Sequence, residues 1–265
     1  MLGARGDARG LRARSVTVGY GKDAPILEDL SLDVLEGQLT VIVGPNACGK
    51  STLLRSLARV LGVRSGVVEL DGRALTTMNQ KELARRLGLL AQSSTAPADI
   101  LVEDLVARGR YPHQSLLRQW SAEDDEAVAW AMRQAGVEAL ARRRVGELSG
   151  GQRQRVWIAM VLAQSTDIVL LDEPTTYLDL NHQLEVLRLA RRLQADGRTI
   201  VAVLHDLHLA FRYATHLVCM KEGRIVAQGA PSDIVTPALI EEVFDVPCLI
   251  IEDPQTGSPL VVPRP

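Results

Sequence analysis

Gly44-Pro45-Asn46-Ala47-Cys48-Gly49-Lys50-Ser51-Thr52 combines glycines, a lysine and two hydroxyls in the spacing that wraps a phosphate. Successive backbone N–H groups of such a loop can surround phosphate oxygens, helped by the positive end of a following helix. Lys50 then supplies a point charge to the outer phosphates, and the Ser51 hydroxyl can ligate Mg²⁺. Much further along, Asp172-Glu173 closes an apolar run, Ile168 to Leu171. Asp172 is suited to hold Mg²⁺ through water, and Glu173 to polarise a water attacking a γ-phosphate. A third run, Leu148-Ser149-Gly150-Gly151-Gln152, precedes the acidic pair. An acidic pair alone reads as a helix cap or a turn; with a phosphate loop in the same chain it reads as catalytic.

These groups need elements to hold them. Leu39 to Val43 reads as a buried strand leading into the phosphate loop, with a helix over Lys50 to Val60 behind it. Ile168 to Leu171 and Thr199 to Leu204 are further buried strands, separated by a helix over Leu180 to Ala195. This alternation predicts an α/β fold with a mostly parallel sheet. Ligands gather at the carboxyl ends of strands in such sheets, which is where the loop and the acidic pair fall. Leu11 to Val18, Ser31 to Val34 and Val67 to Leu70 look shorter and half-exposed, and predict an antiparallel sheet beside the core. Between Ala96 and Glu147 the β pattern gives way to helical periodicity, as in Ala122 to Ala135, with a Pro-containing loop at Arg110-Tyr111-Pro112-His113. Past Gly223 come a strand (Arg224 to Gln228), a helix from near Pro237 and a Pro-rich tail, Pro254 to Pro265.

The 265 residues are ample for a buried core, and 46% hydrophobic with 23% charged residues is an ordinary soluble composition. A net charge of −2 gives no global reason to expect nucleic acid as a partner. Arg5, Arg9, Arg12 and Arg14, and Arg142-Arg143-Arg144, read as a solvated tail and a solvated helix face. Cys48, Cys219 and Cys248 are too few and scattered for a disulfide framework or a zinc site, which fits a reducing cytosol. The N-terminus does not read as a secretory signal. The longest apolar run, Val156 to Ala163, is far short of the ~20 residues that cross a bilayer, so any membrane role is borrowed from another subunit. With one set of motifs and no internal repeat, a composite two-site machine requires a dimer.

Together the phosphate loop, the Leu-Ser-Gly-Gly-Gln run and the acidic pair resemble the ATP-binding-cassette (ABC) ATPases, over roughly Leu11 to Pro247. The resemblance implies the phosphate-loop ABC ATPase fold, an α/β parallel-sheet core with an antiparallel β subdomain and a helical insertion. It implies a domain over 11–247, with core and β subdomain at about 11–95 and 148–247 and the helical subdomain at about 96–147, then a tail at 248–265. ATP and Mg²⁺ are the implied cofactors. Tyr20 matches the aromatic that stacks on adenine, a contact worth ~1–3 kcal/mol. Gln92 matches the glutamine that contacts metal and water and senses the helical insertion. Ser149 and Gly151, with Gly150 and Gln152, match signature residues that donate to the γ-phosphate held by a partner. Asp179 matches the loop that meets the opposite subunit, and His205 the switch histidine at the γ-phosphate. Ala47-Cys48 departs from the Gly-Ser of many relatives. A thiol at a helix N-terminus beside Lys50 could have a lowered pKa, although a small residue tolerated in a loop that binds through its backbone is the favoured reading.

Arg108-Gly109-Arg110-Tyr111-Pro112-His113, Asp172 to Asp179, Leu204-His205-Asp206-Leu207 and Thr256 to Val261 resemble the ATP-binding subunits of ferric-siderophore importers, neighbours of the haem and vitamin B12 importers. That implies a homodimer at the cytoplasmic face of the inner membrane, under two integral-membrane permease subunits fed by a siderophore-binding protein, with no nucleic-acid partner. The Tyr111-Pro112-His113 turn is placed nearest the permease. A soluble cassette ATPase is the alternative from another class, but the long coiled coils or doubled cassettes of such proteins are missing from this sequence.

Overall fold

The computed structural model describes residues 9–115, 120–176 and 178–264. Arg5 of the arginine-rich start, Tyr177 of the loop before Asp179, and Pro265 lie outside the described residues. The chain divides into two compact units, residues 1–78 with 203–265 and residues 79–202.

The first unit begins with β1 (Leu11–Val18), whose alternating buried and exposed residues mark a half-covered strand. It pairs antiparallel with β2 (Leu27–Asp33), four residues longer at its start than expected. β3 (Leu39–Val43) is buried at every position and runs into the phosphate loop. The helix behind it, α1 (Lys50–Leu57), stops short of Val60 because Arg59 turns left-handed at φ 55°. The Arg59 guanidinium donates to the carbonyls of Leu75 and Met78, anchoring that end. β4 (Ser65–Leu70) lies antiparallel to β1 on its other side, and a two-residue β5 (Arg73–Ala74) completes the small sheet in the order β2-β1-β4-β5.

The second unit opens with α2 (Gln80–Ala84), started by an Asn79–Glu82 capping box. β6 (Leu87–Leu90) follows, then α3 (Val102–Ala107) and α4 (Ala122–Gln134). Residues 110–113, expected as a loop, belong to a 3-10 turn over Arg108–His113 with Pro112 inside it. α5 (Gly150–Ala163) packs on α3, α4 and β6. The helical stretch closes on itself: Val102 N–H donates to Arg143 O and Val145 N–H to Ile100 O, both at 3.0 Å. β7 (Ile168–Asp172) pairs parallel with β6, and α6 (Leu180–Ala195) leads to β8 (Thr199–Val203) on the far side of β7.

Back in the first unit, α7 (Leu207–Tyr213) packs on β3. β9 (His216–Lys221) runs parallel to β3 and antiparallel to β10 (Arg224–Gly229). A short α8 (Pro231–Ile234) precedes α9 (Pro237–Phe244), each opened by a proline at its first position, where no N–H is needed. The end of the chain is not a featureless Pro-rich tail. β11 (Cys248–Glu252) and β12 (Pro259–Pro263) form an antiparallel hairpin that packs against α7. Arg212 Nε donates to Asp253 Oδ2 at 2.8 Å and ties the hairpin turn to α7. No helix among the described residues is long and apolar enough to cross a membrane.

Candidate functional site

In the first unit, the phosphate loop has backbone that few side chains tolerate. Gly44 has φ 157°, and a Cβ there would strike the Met220 carbonyl of β9. Gly49 caps α1 at φ 100°, where a Cβ would come within 2.6 Å of Leu27 Cδ2. Ala47 also turns left-handed, at φ 61°. Gly223 N–H donates to Cys48 O at 3.0 Å, fixing the loop to the β9–β10 turn. Between Pro45, Asn46 and the helix, the loop stays a backbone surface with no side chain capping α1.

Lys50 is buried, and its ammonium donates to the loop's own carbonyls, 2.9 Å to Gly44 O and 2.7 Å to Pro45 O. Its charge sits inside the curl of the loop, where an incoming phosphate would meet it. Ser51 is half-buried in the first turn, and Thr52 is buried behind it. Cys48 is buried with Sγ 3.9 Å from Lys50 Nζ. Burial pushes its thiol up and outweighs the lowering by the lysine charge, so the lowered pKa considered from its position does not hold. Tyr20 is 43% exposed, its ring available for stacking, and its hydroxyl accepts from Arg55 at 3.5 Å. His205 follows β8 and is exposed, while Asp206 caps α7 by accepting from Leu209 N–H at 3.0 Å.

In the second unit, Asp172 ends β7 and is fully buried. Glu173 follows in a left-handed turn, φ 52°, a conformation unusual for a side chain with a Cβ. Its carboxylate is held from two sides. Gln92 Nε2 donates to Oε2 at 2.7 Å, and Thr176 Oγ1 donates to the same oxygen at 3.2 Å. Thr176 was missed from sequence; its signal was the three-residue spacing from Glu173, which a turn brings into reach. Gln154 was missed as well. Its side chain donates to Pro174 O at 3.1 Å and joins the signature helix to the turn after the acidic pair.

Ser149 caps α5: its hydroxyl accepts from Gln152 N–H at 3.2 Å, and Gln152 Oε1 accepts from Ser149 N–H at 3.1 Å. This capping box presents a helix N-terminus with Gly150 open, where an added Cβ meets nothing within 4 Å. Gly151 lies against the His182 ring of α6, 3.3 Å from a Cβ position. Asp179 caps α6, accepting from His182 N–H at 2.9 Å and lying 2.8 Å from His182 Nδ1. The His182 backbone N–H is the largest influence holding its carboxyl below the usual range.

A strand-to-helix phosphate loop and a strand-end carboxylate pair define a nucleotide-hydrolysing α/β protein. The ABC transporter family profile matches residues 27–176. The ferric enterobactin transport ATP-binding protein FepC of Escherichia coli is 55% identical over 96% of this chain and 93% of that protein. The petrobactin import ATP-binding protein FpuD of Bacillus anthracis is 48% identical over 97% and 94%. A solved metal-chelate type ABC transporter in an inward-facing conformation is 26% identical with a TM-score of 0.81, covering 97% of this chain and 98% of that one. The chain belongs to the ABC transporter family and is an ATP-binding, ATP-hydrolysing cassette.

Mg²⁺ fits the donors at hand. The Ser51 hydroxyl in the first unit and, in the second, the Asp172 carboxylate and the Gln92 amide oxygen are the kind of oxygen donor that Mg²⁺ takes.

Proposed function

We propose that this chain energises an importer of ferric siderophores, using ATP hydrolysed between two copies of itself at the cytoplasmic face of the inner membrane. The likeness of nearly the whole chain to the ferric enterobactin and petrobactin subunits supports the substrate class. Two integral-membrane permease subunits and, indirectly, a siderophore-binding protein are the partners; nucleic acid is not among them. The observation that carries the chemistry is the Gln92–Glu173 hydrogen bond. It fixes from one direction the carboxylate that polarises the attacking water.

Each residue then has a task. The N–H groups of Gly44 to Thr52 surround the phosphates, and Lys50 exchanges its two carbonyl partners for phosphate oxygens. Tyr20 stacks on the adenine. Ser51, Asp172 and Gln92 would hold Mg²⁺, whose positive charge would offset the negative charge that develops on the phosphates. Glu173 polarises the attacking water, and His205 contacts the γ-phosphate. Ser149, Gly150, Gly151 and Gln152 serve the partner's nucleotide from the N-terminus of α5, and Asp179 meets the opposite subunit.

Glu173→Gln tests this reading. The substitution keeps the phosphate contacts and removes the group that activates water, so turnover should fall by about 10²–10⁴-fold, the usual share of general-base catalysis. MgATP binding should persist and the variant should elute as a dimer with ATP. An active variant, or one that stays monomeric with ATP, counts against the assignment.

A further inference from the structure

The C-terminal end of α4 and the middles of α5 and α6 line an open hollow of about 320 Å³ in the second unit. None of the nucleotide or signature residues named above lines it. Four guanidinium groups do, from Arg133, Arg155, Arg188 and Arg192, against one carboxylate, Glu185. That carboxylate is already committed: Arg155 Nη1 lies 3.2 Å from one of its oxygens and Asn181 Nδ2 donates to the other at 3.3 Å. Among the described residues, Arg133, Arg188 and Arg192 make no ion pair. Arg155 Nε is buried and donates to nothing.

The floor is apolar, made by Ile158, Val186 and Leu189, all buried. A concave apolar floor with convergent polar groups is the anatomy of a small-molecule site. Gly136, at φ 62°, keeps the Arg155 guanidinium uncovered, since a Cβ there would sit 3.7 Å from Nη1. Like charges gathered in one hollow repel each other and focus a positive potential that concentrates anions. Guanidinium forks match carboxylate and phosphate oxygens in pairs.

We infer that this pocket is a second ligand site, taking a compact organic anion with two or more carboxylate or phosphate groups on a short carbon skeleton. The anion bridges α4, α5 and α6, with its oxygens on the arginines and its carbons on the aliphatic floor. The site belongs to the second unit, whereas the phosphate loop belongs to the first.

Isothermal titration of the full chain with citrate and with 2,3-bisphosphoglycerate tests the site, one probe for carboxylate chemistry and one for phosphate. At least one should bind saturably at a single site, weakening as salt is raised. Arg188→Ser/Arg192→Ser, which alters two exposed side chains, should weaken that binding by about tenfold or more, as expected for losing charge-assisted hydrogen bonds. Lys50→Ala should leave it unchanged, because the phosphate loop is not involved. A response to citrate alone, to the bisphosphate alone or to both supports the site and identifies its chemistry. Overturning results are no saturable binding of either probe, equal binding by the double variant, or loss of binding in Lys50→Ala, which would place the anion on the phosphate loop.

Discussion

Cys48 sits beside a lysine at the start of a helix, the surroundings that usually make a thiol acidic and reactive. Its burial decides otherwise, because desolvation of the thiolate outweighs the nearby positive charge. The thiol also lies under the loop: a Cβ on Gly44 would come within 2.8 Å of Sγ. Iodoacetamide at neutral pH should therefore modify Cys48 far more slowly than an unfolded control, as followed by mass spectrometry. Rapid labelling of the folded, nucleotide-free chain would contradict a buried, protonated thiol. Glu173 shows the opposite case at the same scale. Its left-handed backbone is unfavourable, by of order 1–3 kcal/mol for such conformations, yet it turns the carboxylate toward Gln92 and Thr176.

Among the elements, the 3-10 turn at residues 108–113 does more than its exposed tyrosine suggests. Arg110 is 1% exposed, and its guanidinium reaches Asp124 of α4 at 2.8 Å and Ala163 O at the end of α5, also at 2.8 Å. Burial raises the Asp124 pKa, but hydrogen bonds from Arg110 and Ser121 outweigh it and hold the carboxyl below its usual range. Its contribution to stability is therefore fully present above about pH 4 and is lost as pH falls through the lowered folded-state value. Asp124→Asn leaves the Arg110 charge buried and uncompensated and should destabilise the second unit by about 3–5 kcal/mol in urea denaturation. Arg110→Met/Asp124→Leu, which removes both charges, should cost less; an equal or larger loss would show that the pair is not acting as a charge pair.

The same turn carries Tyr111, 65% exposed with Lys81 Nζ 4.7 Å from its ring centroid. His113, by contrast, is tied to Gln164 O at 2.8 Å and belongs to the scaffold. Tyr111→Ala alone is thus the clean probe of permease docking. It should leave ATP binding and stability near normal while reducing permease-stimulated hydrolysis and siderophore uptake. Full uptake by a normally expressed variant removes this tyrosine from the coupling surface.

For the whole molecule, the proposed dimer makes a prediction that no single chain can satisfy. Lys50→Ala should weaken nucleotide binding in its own copy, whereas Ser149→Arg should spare binding and block service to the partner's nucleotide. Some mixed dimers then carry one intact composite site. Mixing the two inactive variants should restore measurable hydrolysis above the sum of their separate activities. A mixture no more active than its parts would exclude the shared-site arrangement.

The phosphate loop, the acidic pair and the signature run were legible in the sequence because each depends on short-range spacing. Glycines at Gly44 and Gly49 permit one tight turn, and an apolar run delivers Asp172 to a strand end whatever surrounds it. The all-buried strands β3 and β7 and the helix α6 were readable for the same reason, since local periodicity encodes them. The hairpin of β11 and β12 was not, because prolines interrupt its alternation and its pairing joins residues on either side of a turn. Only tertiary structure decided that Arg110 meets Asp124, that Gln92 holds Glu173, and that Cys48 is buried. Most of these relations bring together residues distant along the chain or depend on exclusion of water, and neither is written in local spacing.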